Sequence, residues 1–497
     1  MTTTATPHLP TATRRRSEVL ADVQPLLHID GEWIQASNAA TFEVDDPSTG
    51  TVLRTIADAS PADGLQALAA ASKTQASWSQ RPARERGEIL RRAYELLTER
   101  RANLALLISL ESGKPMAEAL AEVAYGAEFF RWYAEEAVRI RGQMGDSPDG
   151  NGRVWTLHQP VGPCLLITPW NFPLAMATRK IGPAIAAGCT MVVKPAEQTP
   201  LTTLALVDIL IEAGTPPGVV NVVTTTQAGA VVEPLIRDGR IRKVSFTGST
   251  AVGRRLITLS AEHVVRMSME LGGNAPLVIF DDADLDAAVD EAVKAKTRNA
   301  GQACIAANRI YVQRAVSEEF TERFTAAMAR LRVGRGTDEG VDVGPLIDDQ
   351  AVTKVENLVE GAVAHGARCL LGGSRIPGVG HFFAPTVLVD VPATARIHSE
   401  EIFGPVAPLT FFDTERQAVE LANATEYGLA SYIFTTNAQR GWRLTEQLQT
   451  GMVGLNKTTI SNPAAPFGGT KHSGFGREGG SAGIHEYLET KYVASPD

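Results

Sequence analysis

The sequence predicts an α/β protein made of two α/β domains in series. Three observations carry this. Short apolar runs of strand character recur from residue 164 onwards. Apolar stretches of helical character, such as 201–213, separate them. The same alternation then resumes between residues 284 and 457. Strands that alternate with helices form parallel sheets with helices packed on them. A chain of 497 residues is long enough for two or three domains, each with its own core.

Taken in order, residues 1–26 read as a flexible tail rich in Thr and Ala, with Arg14, Arg15 and Arg16 and no acid before Glu18. The tail lacks the apolar stretch of a secretory signal. Its basic composition leaves a mitochondrial presequence as the alternative to a cytoplasmic protein. Residues 60–140 read as helical. Ser60 is a cap with Pro61 at the first helical position, and Leu90, Tyr94, Leu97, Leu104 and Leu107 follow at helical spacing. Gly, Asp, Ser, Pro and Asn then mark a loop over 146–152. Strands are expected over 164–168, 190–193, 219–223, 243–247, 265–270 and 276–280, and later over 309–312 and 431–434. The alternating residues 487–493 form an edge strand that pairs with another chain rather than stay exposed.

Composition excludes several classes. Apolar residues make up 44% of the chain and charged residues 21%, as in a globular enzyme. A net charge of -9 argues against nucleic acid as a partner, because phosphate contacts need basic surface. No apolar stretch is long enough for a membrane span. The four cysteines, Cys164, Cys189, Cys304 and Cys369, have no metal-ligand spacing and no disulfide framework, so no metal is expected and a reducing compartment fits.

Cys164, Cys189 and Cys369 stand in apolar runs and read as buried structural cysteines. Cys304 differs. Gln302, Asn308 and Arg309 flank it, and Gly301 permits unusual backbone geometry. A thiol among small polar residues is a candidate nucleophile. Upstream, Glu270 ends an apolar run before Leu271-Gly272-Gly273. It is a candidate general base, or a solvated strand-end acid. Asn171 lies between two prolines, where a turn residue would also fit. There is no convincing G-x-G-x-x-G. Instead Phe246-Thr247-Gly248-Ser249 puts a strand end, a Gly turn and a helix start in sequence, and free N–H groups at a helix start bind phosphate.

These segments together resemble the aldehyde dehydrogenase superfamily, from about residue 27 to the C-terminus. The resemblance rests on Asn299-Ala300-Gly301-Gln302-Ala303-Cys304, Glu270-Leu271-Gly272-Gly273, Pro169-Trp170-Asn171-Phe172-Pro173, Phe246-Thr247-Gly248-Ser249, Lys194-Pro195-Ala196-Glu197 and Glu401-Ile402-Phe403-Gly404-Pro405. It implies a nucleotide-binding domain of Rossmann type (27–140 and 162–270) and an α/β catalytic domain (271–457). A return segment (458–485) would close the substrate pocket, and a small β extension (141–161 and 486–497) would join subunits into a homodimer or homotetramer. It also implies the chemistry. Cys304 forms a thiohemiacetal with an aldehyde, the oxyanion is held by the Cys304 N–H and the Asn171 side chain, hydride leaves to a nicotinamide, and Glu270 assists hydrolysis of the thioester. Thr168, Pro169, Trp170, Lys194, Glu197, Gly248, Ser249, Leu271, Glu401 and Phe403 would hold the cofactor. Glu197 favours NAD, since its carboxylate suits free ribose hydroxyls and repels a 2′-phosphate; NADP is the alternative.

Within the superfamily the chain most resembles succinate-semialdehyde dehydrogenases, at Met176-Ala177-Thr178-Arg179-Lys180, at residues 296–302 and at residues 460–469. The resemblance assigns the substrate carboxylate to Arg179 and Arg298, with a hydroxyl from Ser461. Glutarate semialdehyde, or aldehydes in general, are the alternatives. Ala303 stands where many members have Thr. Ala306 stands where some have a second cysteine, so no adjacent-cysteine switch is expected. A cysteine hydrolase would need a histidine partner, and none of the nine histidines lies in these segments. A non-catalytic binding role would not require Cys304, Glu270 and Asn171 together.

Overall fold

A computed structural model describes residues 15–496. Among these, two large sheets each lie between layers of helices. The first sheet is built around Cys164–Ile167. Met191–Lys194 and Val220–Val222 lie on one side of it, Lys243–Thr247 and Arg266–Glu270 on the other, all parallel. Leu27–Ile29, followed by Glu32–Ile34, closes one edge antiparallel, and Gly474–Phe475 closes the other. Period-two alternation sorts the strands onto two cores. Cys164 and Leu166 pack under the helices Ala83–Glu99, Met116–Glu136 and Pro173–Ala187. Leu165 and Ile167 face the opposite core, with Ala67, Leu68 and Leu235.

The strand order reverses between Cys164–Ile167 and Lys243–Thr247, so the two crossovers leave in opposite directions and open a crevice at the strands' C-terminal ends. Residues 168–172 and Gly248-Ser249 stand at that crevice. The second sheet runs Arg368–Leu371, Thr386–Val389, Val406–Phe412, Ala307–Gln313, Ala275–Ile279, Ala430–Phe434 and Met452–Leu455, and is parallel except for its first strand. Only residues 271–274 separate Glu270, the last residue of a strand in the first sheet, from the second sheet. A third, small sheet pairs Met144–Asp146, Arg153–Pro160 and Leu488–Ser495. No helix among the described residues is long and apolar enough to cross a membrane.

The expected strands and the Ser60 cap appear within a residue or two of their predicted bounds; the Ser60 side chain accepts from the Asp63 N–H, with Pro61 following. Two expectations are corrected. The tail is not free up to residue 26: Arg16–Asp22 is helical, because Val19, Leu20 and Val23 find apolar partners and are buried. The expected tail over 1–14 lies outside the described residues. Cys369 is exposed, because its strand is the short outer edge of the second sheet; Cys164 and Cys189 are buried as expected.

Candidate active site

One cavity of about 620 Å³ gathers most of the predicted site residues. Its lining includes Cys304, Glu270 and Asn171. Pro169, Trp170, Gly248, Ser249, Leu271, Glu401, Phe403, Arg179, Arg298 and Ser461 line it too. Thr168 does not reach the cavity; it is buried behind it, its N–H donating to the Lys194 carbonyl at 3.1 Å. Lys194 and Glu197 also lie off it. They pair with each other at 3.2 Å, and Glu197 opens on an adjoining cleft that shares Gln198, Ile347 and Asp348 with the main cavity.

The loop that carries Cys304 is an unusual piece of backbone. After the helix Leu285–Thr297, Asn299, Ala300 and Gly301 take positive φ of 51°, 54° and 77° in succession. Non-glycine residues hold such angles only when their surroundings over-determine them. Here Glu118 accepts from the Asn299 N–H at 2.7 Å. The Gln302 side chain donates to the carbonyls of Asn299 and Pro345 at 3.1 and 3.3 Å and accepts from Ile347 N–H at 2.9 Å. Asn299 Nδ2 donates to the Asn171 carbonyl at 3.0 Å. The Cys304 N–H makes no hydrogen bond to any described residue.

Asn171 is held as firmly. Lys114 Nζ donates to its carbonyl at 2.7 Å and pairs with Glu122 at 2.5 Å, both side chains fully buried. Glu122 in turn accepts from the N–H groups of Leu174 and Ala175, the first turn of the helix that follows. Asn171 Nδ2 donates to the Gln302 carbonyl at 3.0 Å, which keeps its amide hydrogens on the side of the Cys304 loop. The link 271–274 sits against the same loop: a Cβ on Gly273 would lie 2.1 Å from the Cys304 carbonyl oxygen, so only glycine fits.

Burial dominates the electrostatics. Cys304 is half-buried, and desolvation pushes its thiol up to about 12, although Arg179 opposes this. Glu270 is 2% exposed, and neither carboxylate oxygen finds a hydrogen-bond partner among the described residues. Burial, then the charge of Glu478, hold its pKa well above the usual carboxylate range against the pull of Arg179 and Lys180. Glu401 accepts from the Gly273 N–H at 3.1 Å, and burial raises it to about 7. Phe403, at φ 56°, meets the Trp170 ring edge-on at 5.5 Å.

The two arginines differ in one decisive respect. Arg179 is buried, 2.5 Å from Glu478 and stacked over Phe467 at 4.2 Å, and Glu478 also pairs with Lys180 at 2.5 Å. Arg298 stands over the Phe172 ring at 4.9 Å and makes no direct ion pair among the described residues, although Glu118 lies near enough to feel its charge. Arg179's charge is therefore compensated by a direct ion pair, and Arg298's is not.

Sequence reasoning missed Lys114, Glu122, Gln302, Glu478 and Tyr125. Lys114 had a weak signal, a lysine between Gly113 and Pro115 where two helices break. Glu118, Glu122 and Tyr125 lie at i, i+4 and i+7 of one helix, a polar stripe inside a mostly apolar segment.

Comparison with known proteins agrees with this geometry. The chain is 56% identical to a succinate-semialdehyde dehydrogenase of Paenarthrobacter nicotinovorans, over 90% of this chain and 99% of that one. It is 50% identical to a glutarate-semialdehyde dehydrogenase of Pseudomonas putida, over 94% and 96%. The crystal structure of an NADP-dependent enzyme of E. coli superposes with a TM-score of 0.95 at 47% identity, covering 97% of this chain and 99% of that one. The model of the aldehyde dehydrogenase family matches residues 33–493, and the chain belongs to that family.

Proposed function

We propose that the protein oxidises succinate semialdehyde to succinate with a nicotinamide dinucleotide. The carrying observation is the guanidinium of Arg298, without a direct ion pair, on the same cavity wall as Cys304. An unpaired cation in a half-buried pocket calls for an anionic group on the substrate. Ser461, beside Tyr125 on the same wall, adds a hydroxyl donor. Arg179 adds hydrogen-bonding surface and less net charge.

The residues fit a dinucleotide. Ser249 caps the helix Thr250–Ser260, accepting from the Val252 N–H at 3.4 Å, at the point where the strand order reverses. Trp170, Leu271, Glu401 and Phe403 line the rest of the path towards Cys304. When bound, the nicotinamide supplies a hydride acceptor. The protein does the remaining work. Cys304 Sγ bonds to the aldehyde carbon, and the Cys304 N–H and Asn171 Nδ2 stabilise the oxygen that becomes anionic. After oxidation Cys304 carries a thioester. Glu270 then takes the proton of the water that attacks it, its raised pKa making it a stronger base once ionised.

Glu197 supports NAD over NADP, since its carboxylate disfavours a 2′-phosphate. The Lys194 pairing offsets part of that charge, so the preference is one of degree. The 50% identity to a glutarate-semialdehyde dehydrogenase supports a second reading with a substrate one methylene longer, and a methylene is worth only ~1–3 kcal/mol. The small third sheet, with Met144, Trp155 and Leu157 exposed, serves to join subunits into a dimer or tetramer.

The test follows the formation of reduced cofactor, with NAD and with NADP, on succinate semialdehyde, glutarate semialdehyde and propanal. Cys304→Ala should abolish turnover. Arg298→Ala should raise KM for the two acids by on the order of tenfold or more and leave propanal unchanged. Equal turnover of propanal and the acids by the wild-type protein would remove the carboxylate from the reading.

A further inference from the structure

The neck of the substrate path contains a polar group with no assigned use. Tyr125, Phe172, Arg298, Ala303, Ile305 and Ser461 line both the main cavity and a second one of about 390 Å³, so these six side chains form the wall common to both. Five are accounted for by packing or by the cation and hydroxyl already described. Tyr125 is not. Its ring packs edge-on against Phe129 at 5.0 Å and against the cluster of Phe172, Ala175, Met176, Ala303 and Ala306. Phenylalanine would fill that space equally well. Yet the hydroxyl is fully buried beside the Arg179 and Ser461 side chains and makes no well-formed hydrogen bond to either. A buried hydroxyl without a well-formed hydrogen bond costs stability and persists where a ligand completes it.

We infer that Tyr125 is a specificity-determining residue, whose phenol donates a hydrogen bond to the distal carboxylate of the substrate beside Arg298 and Ser461. This rests on the semialdehyde-acid reading of the same site. The surroundings fix the direction of the bond. Arg179 and Arg298 are donors only, so neither can take the phenolic hydrogen; the Ser461 hydroxyl beside it is a neutral acceptor, and a carboxylate held between the arginines is the stronger one. Burial raises the phenol above its ordinary value against the pull of the two arginines, so it keeps its proton at neutral pH. The phenol also does something the charge of Arg298 cannot. Coulomb attraction falls slowly with distance, whereas an O–H···O bond is confined to about 2.5–3.0 Å. Arg298 therefore selects for an anion, and Tyr125 selects for an anion at one distance from the aldehyde. Tyr125 is the residue that reads chain length.

Tyr125→Phe keeps the ring and removes only the donor. Steady-state kinetics of this variant and the wild type on succinate semialdehyde, glutarate semialdehyde and propanal test the assignment. The expected result is a KM on the order of tenfold higher for the preferred acid, with a much smaller change in kcat. Propanal should be unaffected, and the ratio of kcat/KM between the two acids should move towards one. A variant that keeps the wild-type preference between the acids overturns the assignment alone. A variant that loses propanal turnover in the same proportion also overturns it, because the role is then structural. A wild type that prefers neither acid over propanal overturns the semialdehyde-acid reading, and the role of Tyr125 with it.

Discussion

In its proposed role as nucleophile, Cys304 carries opposing demands. The chemistry needs a thiolate, while the cavity that excludes water from the adduct also desolvates the sulfur and lifts its pKa to about 12. Below that value the reactive fraction is small and rises tenfold for each pH unit. Alkylation of the cofactor-free protein by iodoacetamide should therefore accelerate about tenfold per unit from about pH 7 to about pH 9, without a plateau. Mass spectrometry of the labelled Cys304 peptide separates it from Cys369, which is exposed. A plateau below about pH 8 would mean that the free protein already stabilises the thiolate. Glu270 shows the same tension, with two unpartnered oxygens that favour the protonated acid until substrate and water arrive.

The loop 299–304 is the element on which the site depends. Its three successive positive φ values aim the chain from the end of one helix into the strand Ala307–Gln313, and partners from other elements, among them Glu118, Asn171 and Pro345, hold it there. Gly301 is its tightest point: at φ 77°, a Cβ would lie 2.2 Å from the Gly404 carbonyl oxygen, next to Phe403. Gly301→Ala should cost about 1–3 kcal/mol of stability and at least about tenfold in turnover, since loop and cofactor wall must move apart together. Thermal melting and steady-state rates measure the two effects, and wild-type turnover would contradict the account. The motif around Cys304 was legible in the sequence, down to the role expected of Gly301. The brace was not, because Glu118, Glu122 and Lys114 come from helices far away in the chain and carry no local pattern that names their partners.

At the scale of the whole molecule, two sheets meet at the cavity, and the third sheet stands apart with an apolar face. Met144 pairs with Trp155 across that sheet, and Leu157 lies on the same face two residues on. The three are 67%, 39% and 44% exposed in the single chain. A face of this kind marks a contact with another chain. Leu157→Glu should lower the mass measured by light scattering while the melting transition of the isolated chain changes little. An unchanged mass would overturn the assignment of this face to a subunit contact. The N-terminal helix Arg16–Asp22 teaches a related point. Its composition reads as tail, yet three apolar side chains find a groove, and that groove exists only once the helices of the first domain have packed.

By itself the sequence determined the alternation of strands and helices, and its motifs, through their resemblance to the family, proposed Cys304, Glu270 and Asn171 as nucleophile, base and oxyanion donor, because periodicity and short motifs are local properties of the chain. It also named Arg179 and Arg298 as a pair. Only the tertiary structure decided that they are unequal. Glu478 reaches Arg179 from the far end of the chain and neutralises it, while nothing comparable reaches Arg298. The charge on a buried group depends on what folds against it, and that is settled by packing between distant segments rather than by neighbours in sequence.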